Sequence, residues 1–374
     1  MNHLDLFRAC KSKLERDESL IAGRPYRIGI VGASSLAGKE LTDSLADSPL
    51  AASDFVLLDD DDAGQITATG DEVTFIQKID ADSFAGIDFV FFAGDPDATR
   101  KHWKTARRAG ASIVDMTYAL ETESGVVVRG PWVNLPATAS TEGRSHLRAR
   151  EPDLTTPAVV AAHPAALMLL LVAKRLHAKC PVRSLSATVF EPASEHGRAA
   201  MDELHQQTVS LLSFQSLPRE QYDAQVAFNL LPALGDAAKF KLAATRDRIV
   251  GHFDALSGGA APEPVVQLIQ APVFHGYAAS VLVELLGTAT TEEMELAALG
   301  EHVDIVGPES DPPSNLSAAG QPDILVRVSA PSPGDGPFSR FWLWLAADNL
   351  KLSALNAIAC ATELSRLRPQ GKVQ

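Results

Sequence analysis

The stretch Arg27-Ile28-Gly29-Ile30-Val31-Gly32-Ala33-Ser34-Ser35-Leu36-Ala37-Gly38 decides the fold. A short β-branched run ends in a glycine-containing turn, and residues 36–45 follow at helical spacing. A strand that turns directly into a helix sets backbone N–H groups and a helix N-terminus where a pyrophosphate can sit. Gly32 permits the tight turn and Gly38 permits close helix–strand packing. Where a third glycine would let the backbone approach a phosphate, the chain carries Ser35, next to Ser34. Outward from this stretch, residues 55–58, 88–92 and 112–115 are further apolar runs of strand length, and residues 98–109 form a basic amphipathic helix. Continuous apolar strands alternating with helices imply a parallel sheet covered on both faces. The first half is therefore expected to be a Rossmann-like, doubly wound α/β domain.

Near residues 152–157 the pattern resets. A long apolar helix is expected over 165–177, with helices over 197–212 and 237–253. Strands are expected over 184–190, 265–274, 279–286, 323–329 and 338–346, and a last helix over 349–367. This describes a mostly antiparallel α+β second domain. The expected division is a helical extension over 1–23, a dinucleotide-type domain over 24–157 completed by 347–374, and a second domain over 158–346. Trp342 and Trp344 alternate with Phe341 and Leu343, so one pair is expected in the core and the other at an interface or against the last helix.

The chain has 374 residues, of which 46% are hydrophobic and 21% charged, as in an ordinary globular protein. Its longest unbroken apolar run, residues 165–173, is half of what a bilayer span needs. A formal charge of −14 gives no general reason to bind nucleic acid or anionic lipid. Cys10, Cys180 and Cys360 have neither metal-ligand nor disulfide-framework spacing. No membrane partner, no nucleic acid, no metal and a cytoplasmic location are expected.

Asp59 lies 21 residues after Gly38, where a dinucleotide fold places the carboxylate that accepts a ribose hydroxyl. Asp60, Asp61 and Asp62 add charge beside it, so NAD fits better than NADP. The same residues also fit a solvated charged loop.

Several ordered segments resemble aspartate-semialdehyde dehydrogenase. They are residues 31–38, Phe228-Asn229-Leu230-Leu231-Pro232, Gln270-Ala271-Pro272-Val273-Phe274 with Gly276, Ala193-Ser194 with Gly197, and Ala346-Ala347-Asp348-Asn349-Leu350-Lys351. The match covers about residues 25–366, and its pattern is most similar to the Usg-1 paralogues that lack the catalytic residues. The resemblance implies a Rossmann domain joined to a dimerising α+β domain, with the last helix returning to the first domain. It implies a homodimer, NADP-dependent chemistry in amino-acid biosynthesis, a cysteine nucleophile, a histidine base and anion-holding arginines.

Carried over residue by residue, those roles are lost. The nucleophile position is Ala166, in His163-Pro164-Ala165-Ala166, and the base position is Tyr277. The carboxylate-holding arginine is Gln270, the phosphate-holding arginine is Glu121, and the acyl-positioning glutamine is Glu191. The arginine–serine pair that receives a 2′-phosphate matches Asp61-Asp62. The expectation is a non-catalytic dimeric binding protein. It would take NAD weakly and NADP more weakly, along Gly32, Ser34, Ser35, Gly38, Asp59, Gly94 and Asn349. The alternative is an oxidoreductase with a rebuilt site. His163, Glu121, Glu191, Glu195, His196, Gln270, His275 and Tyr277 are then the pocket candidates.

Overall fold

The computed structural model describes residues 25–51, 53–60, 66–69, 72–80, 82–133, 151–332, 334 and 336–367. The expected extension over 1–23, Cys10, Asp61 and Asp62 lie outside the described residues. The first unit runs β1 (Arg27–Val31), α1 (Leu36–Ala46), β2 (Asp54–Asp59), β3 (Ile66–Thr69), β4 (Glu72–Phe75), β5 (Gln77–Lys78), β6 (Phe89–Phe92), α2 (Pro96–Arg108), β7 (Ser112–Asp115), β8 (Val127–Arg129) and β9 (Val159–Ala161). Seven of these strands form one sheet in the order β5-β2-β1-β6-β7-β9-β8, and every pairing in it is parallel. Both faces must then be covered, which is why Phe89, Val90, Phe91 and Phe92 are all buried. The strand order reverses between β1 and β6, and ligands of such sheets bind at the carboxyl ends of the strands there. Strand β9 belongs to this sheet. The first unit therefore extends past residue 157, where the sequence reading ended it.

The second unit runs α3 (Pro164–Lys179), β10 (Val182–Glu191), α4 (Gly197–Leu212), α5 (Leu242–Ser257), β11 (Pro264–Gln270), β12 (Tyr277–Ala289), α6 (Thr291–Ala298), β13 (Val303–Ile305), α7 (Asn315–Ala318), β14 (Ile324–Ser329) and β15 (Phe338–Ala347). Its sheet has the order β11-β10-β12-β15-β14-β13, with antiparallel centre pairings and a parallel pair at each edge. One face packs on α3, whose residues 164–173 are buried throughout. Phe341 and Leu343 join that core, while Trp342 and Trp344 stay 47% and 37% exposed on the opposite face. The final helix, α8 (Asn349–Ser365), returns to the first unit, where Ala354, Ala357, Ile358 and Cys360 pack with Ile28, Leu41 and Phe91.

Helix α5 starts at Leu242, five residues later than the spacing of residues 237–253 predicts. Residues 237–241 form turns instead, because the backbone N–H of Ala237 donates to the Asp223 carboxylate and that of Ala238 to Gly235. Among the described residues, no helix is long and apolar enough to cross a membrane.

Candidate functional site

The turn between β1 and α1 is set by contact between backbones. Gly32 has φ +82°, and a Cβ built on it would lie 2.3 Å from the Gly94 Cα. A Cβ on Gly38 would lie 2.2 Å from the Gly32 carbonyl oxygen. Ser35 needs no glycine geometry, since its φ is −65°. Its hydroxyl accepts from the Gly38 N–H at 2.9 Å and donates to the Ala93 carbonyl at 2.8 Å. The capping leaves the Leu36 and Ala37 N–H groups at the mouth of α1 to a ligand. The Ser34 hydroxyl donates to Asp59 at 2.7 Å, so that carboxylate is already engaged where a ribose would approach. Asp60 is held by Lys101 at 2.9 Å and approached by His102 at 3.1 Å. The hydrogen bond from Lys101 is the main pull that lowers its carboxyl below the ordinary value; burial opposes it and His102 adds to it. Reading residues 98–109 as a basic amphipathic helix does not identify this partner of Lys101. Pro96 costs no donor: it is the first residue of α2, where the N–H would be unpaired, and Asp95 caps the helix.

These residues fit a dinucleotide. The N-terminus of α1 would hold the pyrophosphate, and Asp59 and Ser34 would face the adenosine ribose. A 2′-phosphate would meet Asp59 and Asp60, with Lys101 already engaged.

A cleft of about 490 Å³ opens from this turn toward the second unit. Its walls include Ser35, Gly94, Tyr118, His163, Glu195, His196, Lys241, Arg248 and Asn349. His163 is fully buried and caps α3, its Nδ1 accepting from the Ala165 N–H at 3.2 Å. The His163 N–H in turn donates to Nδ1 of His252 at 2.9 Å. Each ring therefore uses Nδ1 as an acceptor and carries its proton on Nε2. These nitrogens lie 3.1 Å from Glu195 and 2.9 Å from Glu121, close to each carboxylate but outside aligned hydrogen-bond geometry. Burial pushes His252 below its ordinary value, and contact with Glu121 only partly offsets this.

Glu121 also accepts from Arg248 Nε at 2.6 Å. Burial raises its carboxyl, and the combined pull of His252 and Arg248 outweighs that and leaves it lowered. The Arg248 guanidinium lies over the Tyr118 ring at 4.7 Å, and Tyr118 stacks on His163. The acidic residue at a position where the resemblance implies a cation is thus neutralised by a cation from α5. Glu195 is also lowered: burial raises it, and His163, His196 and the Asn349 amide more than compensate. Asn349 makes three side-chain hydrogen bonds. Its oxygen accepts from Ser194 and from the Gly276 N–H, and its nitrogen donates to Glu195 at 3.3 Å.

The remaining candidates separate into floor and periphery. Ala166 is fully buried in the apolar core behind the cleft. Tyr277 is 1% exposed, with its hydroxyl 3.5 Å from Glu191. Burial, and then the charges of Glu195 and Glu191, push this phenol well above its ordinary value. Gln270 is buried and donates to the Glu191 and Ala271 carbonyls, which ties two strand ends together beneath the cleft. Glu191 is buried and meets His196 at 3.0 Å. His275 is not among the residues that line the cleft. Gly276 has φ +83° and β12 begins only at Tyr277, so strand alternation does not carry residue 275 onto the face of 277. Sequence reading missed Tyr118, Arg248 and His252. Tyr118 and the 248–252 pair have no motif; only the close cation–aromatic and acid–base contacts in space reveal them. Among the described residues, no cluster of three metal-ligating side chains occurs.

Comparison with known proteins places this geometry. A family model described as the semialdehyde dehydrogenase NAD-binding domain matches residues 27–141, and one described as the semialdehyde dehydrogenase dimerisation domain matches residues 173–351. A USG-1 protein homolog from Pseudomonas aeruginosa is 31% identical, covering 90% of this chain and 96% of its own. The aspartate-semialdehyde dehydrogenase of Rickettsia conorii is 24% identical, covering 91% and 98%. The solved structure of a probable aspartate-semialdehyde dehydrogenase from Pseudomonas aeruginosa superposes with a TM-score of 0.77 at 28% identity, covering 91% of this chain and 99% of that one. With both domain models matched in order and a relative this similar along nearly its whole length, the chain belongs to the semialdehyde dehydrogenase family.

Proposed function

We propose that the protein is a dimeric binding member of its family that does not carry out the thiol-dependent interconversion of aspartyl phosphate and aspartate semialdehyde. The carrying observation is Ala166: a methyl group, fully buried, stands where the resemblance implies the nucleophile. Of the described cysteines, Cys180 caps the far end of α3, about 20 Å along the helix at 1.5 Å per residue, and Cys360 lies in the core of the first unit. Loss of the nucleophile alone typically costs on the order of a million-fold in turnover. Tyr277 supports the same reading, because its phenol stays protonated and cannot serve as a base at neutral pH. The Gln270 amide nitrogen is committed to the Glu191 and Ala271 carbonyls, and one Glu121 oxygen is held by Arg248 beside His252.

A nicotinamide dinucleotide, when bound, would supply a hydride-accepting ring. This chain's own residues favour weak binding of NAD over NADP, since Ser34 competes for Asp59 and Asp60 opposes a 2′-phosphate. The homodimer is supported by the uncovered apolar sheet face around Trp342 and Trp344. The test is an assay of the purified protein with aspartate semialdehyde, phosphate and NAD or NADP, alongside calorimetric titration with each dinucleotide. No turnover and a lower affinity for NADP than for NAD are expected. Turnover at rates ordinary for a dehydrogenase would overturn the reading.

A further inference from the structure

The histidines about this cleft are not equivalent. His163 and His252 spend Nδ1 on backbone N–H groups and turn Nε2 toward a carboxylate, so neither ring offers a lone pair to a ligand. His196 is different. Its ring lies flat on Phe240, with centroids 3.5 Å apart and planes at 11°, which fixes its orientation. Its Nε2 meets Glu191 at 3.0 Å. The carboxylate oxygen of the completely buried Glu191 faces Nε2 as an acceptor, so the neutral imidazole carries its proton on Nε2. Nδ1 of His196 is left as an acceptor with no hydrogen-bond partner among the described residues, on the wall of the cleft.

On the same cleft, Arg248 commits Nε to Glu121 and its face to Tyr118. Its two terminal nitrogens have no partner among the described residues, and its side chain is 28% exposed. A guanidinium held in this way presents a preformed fork for a carboxylate. Glu195 stands in the wall and Glu121 and Glu191 contact its residues Arg248 and His196, so a ligand with several negative charges is disfavoured against one with a single charge.

We infer that the cleft binds a small monocarboxylate bearing a hydroxyl group. The carboxylate is taken by the Arg248 fork, and the hydroxyl donates to Nδ1 of His196. An aldehyde or acyl oxygen only accepts and makes no use of that lone pair. Glu191 acts as the positioning residue that sets the tautomer. The inference rests on the reading of the cleft as a binding site without thiol chemistry, and it invokes no covalent step.

The test titrates the full-length protein with glycolate and with D- and L-lactate, against acetate and propionate, using ligand-observed magnetic resonance or calorimetry. The hydroxylated acids are expected to bind at least about tenfold tighter than their plain counterparts. His196→Gln, and Glu191→Gln through the tautomer, should erase that preference. Arg248→Lys should weaken both classes together and leave their ratio unchanged. A readout independent of variant folding is chemical modification of the wild-type protein by diethyl pyrocarbonate, mapped by mass spectrometry. His196 should react ahead of His163 and His252, and glycolate should slow it. No binding of any of the acids, equal binding of the two classes, a preference that survives His196→Gln, or an unreactive His196 overturns the inference. Turnover of aspartate semialdehyde would overturn the non-catalytic reading, whereas a flat ranking of the acids overturns only this inference.

Discussion

The backbone N–H of His163 donates to Nδ1 of His252 at 2.9 Å, joining the first turn of α3 to the middle of α5 through a ring that must stay neutral to accept it. The consequence is a pH dependence of stability with a defined sign. Burial sets the folded value of His252 below its ordinary 6.5, so the unfolded chain takes up the proton first as pH falls. The stability it contributes is complete above about pH 6.5 and is lost as pH falls toward the folded value. Glu121, also lowered in the fold, adds a loss in the same direction below its ordinary 4.5. Asp115, raised chiefly by burial, acts in the opposite direction, so the histidine's share is isolated by substitution. Thermal unfolding between pH 8 and 5 should show a falling midpoint. His252→Asn, whose side-chain oxygen can still accept the His163 N–H, should flatten the slope near pH 6. An unchanged slope in that variant would remove His252 as its origin.

Restoring sulfur at residue 166 should not restore chemistry. Ala166 is surrounded by the buried side chains of α3 and its sheet, so Ala166→Cys adds an atom to a packed core at a cost of about 1–3 kcal/mol. Apolar burial there also raises a thiol and keeps the thiolate scarce. With Tyr277 protonated and the neutral amide of Gln270 where the resemblance implies a cation, the variant is expected to show slow reaction with a thiol reagent and no dinucleotide reduction by aspartate semialdehyde. Turnover in this single variant would mean that the rest of the machinery persists in the cleft.

Gly94→Ala is expected to destabilise the first unit by about 1–3 kcal/mol, because the new Cβ would lie 2.7 Å from the Gly32 Cα and backbone must move. Gly110→Ala meets no neighbouring atom and serves as a control for its positive φ alone. Denaturant unfolding of the two variants separates close backbone approach from conformational strain.

The parallel sheet was legible because its strands are continuous apolar runs, which only a sheet buried on both faces requires. The α1 turn was legible for the same local reason: Gly32, Ser35 and Gly38 act within seven residues of one another. What could not be read depends on partners distant in the chain. Arg248 and Glu121 are 127 residues apart, and Lys101 reaches Asp60 across 41. Periodicity assigns Lys101 to a solvated face whether or not an aspartate waits beside it. His275 stands two residues before Tyr277 yet does not line the cleft, because Gly276 between them is left-handed and β12 begins only at Tyr277. Strand β9, only three residues long, is assigned to the first sheet by its pairing with β7 and β8, a long-range fact.

The proposed dimer places its weight on the outer face of the second sheet. There Leu282 pairs across the ladder with Trp342 and Ser280 with Trp344, while Trp344 approaches Phe190 at 6.0 Å and donates its indole N–H to the Pro313 carbonyl. These rings are fixed by their own sheet yet remain 47% and 37% exposed, and edge-strand Val265 is 73% exposed. Two adjacent tryptophans held in this manner are costly to leave in water and lose little freedom on docking, the combination that concentrates interface energy in few residues. Trp342→Glu would set a charge at the centre of that face without touching the core, where Phe341 and Leu343 stay in place. It should weaken self-association by at least about 2 kcal/mol, roughly thirtyfold in dissociation constant, with the fold retained. Sedimentation equilibrium of the two proteins measures this directly. A variant that associates as tightly as the parent would move the interface to another surface.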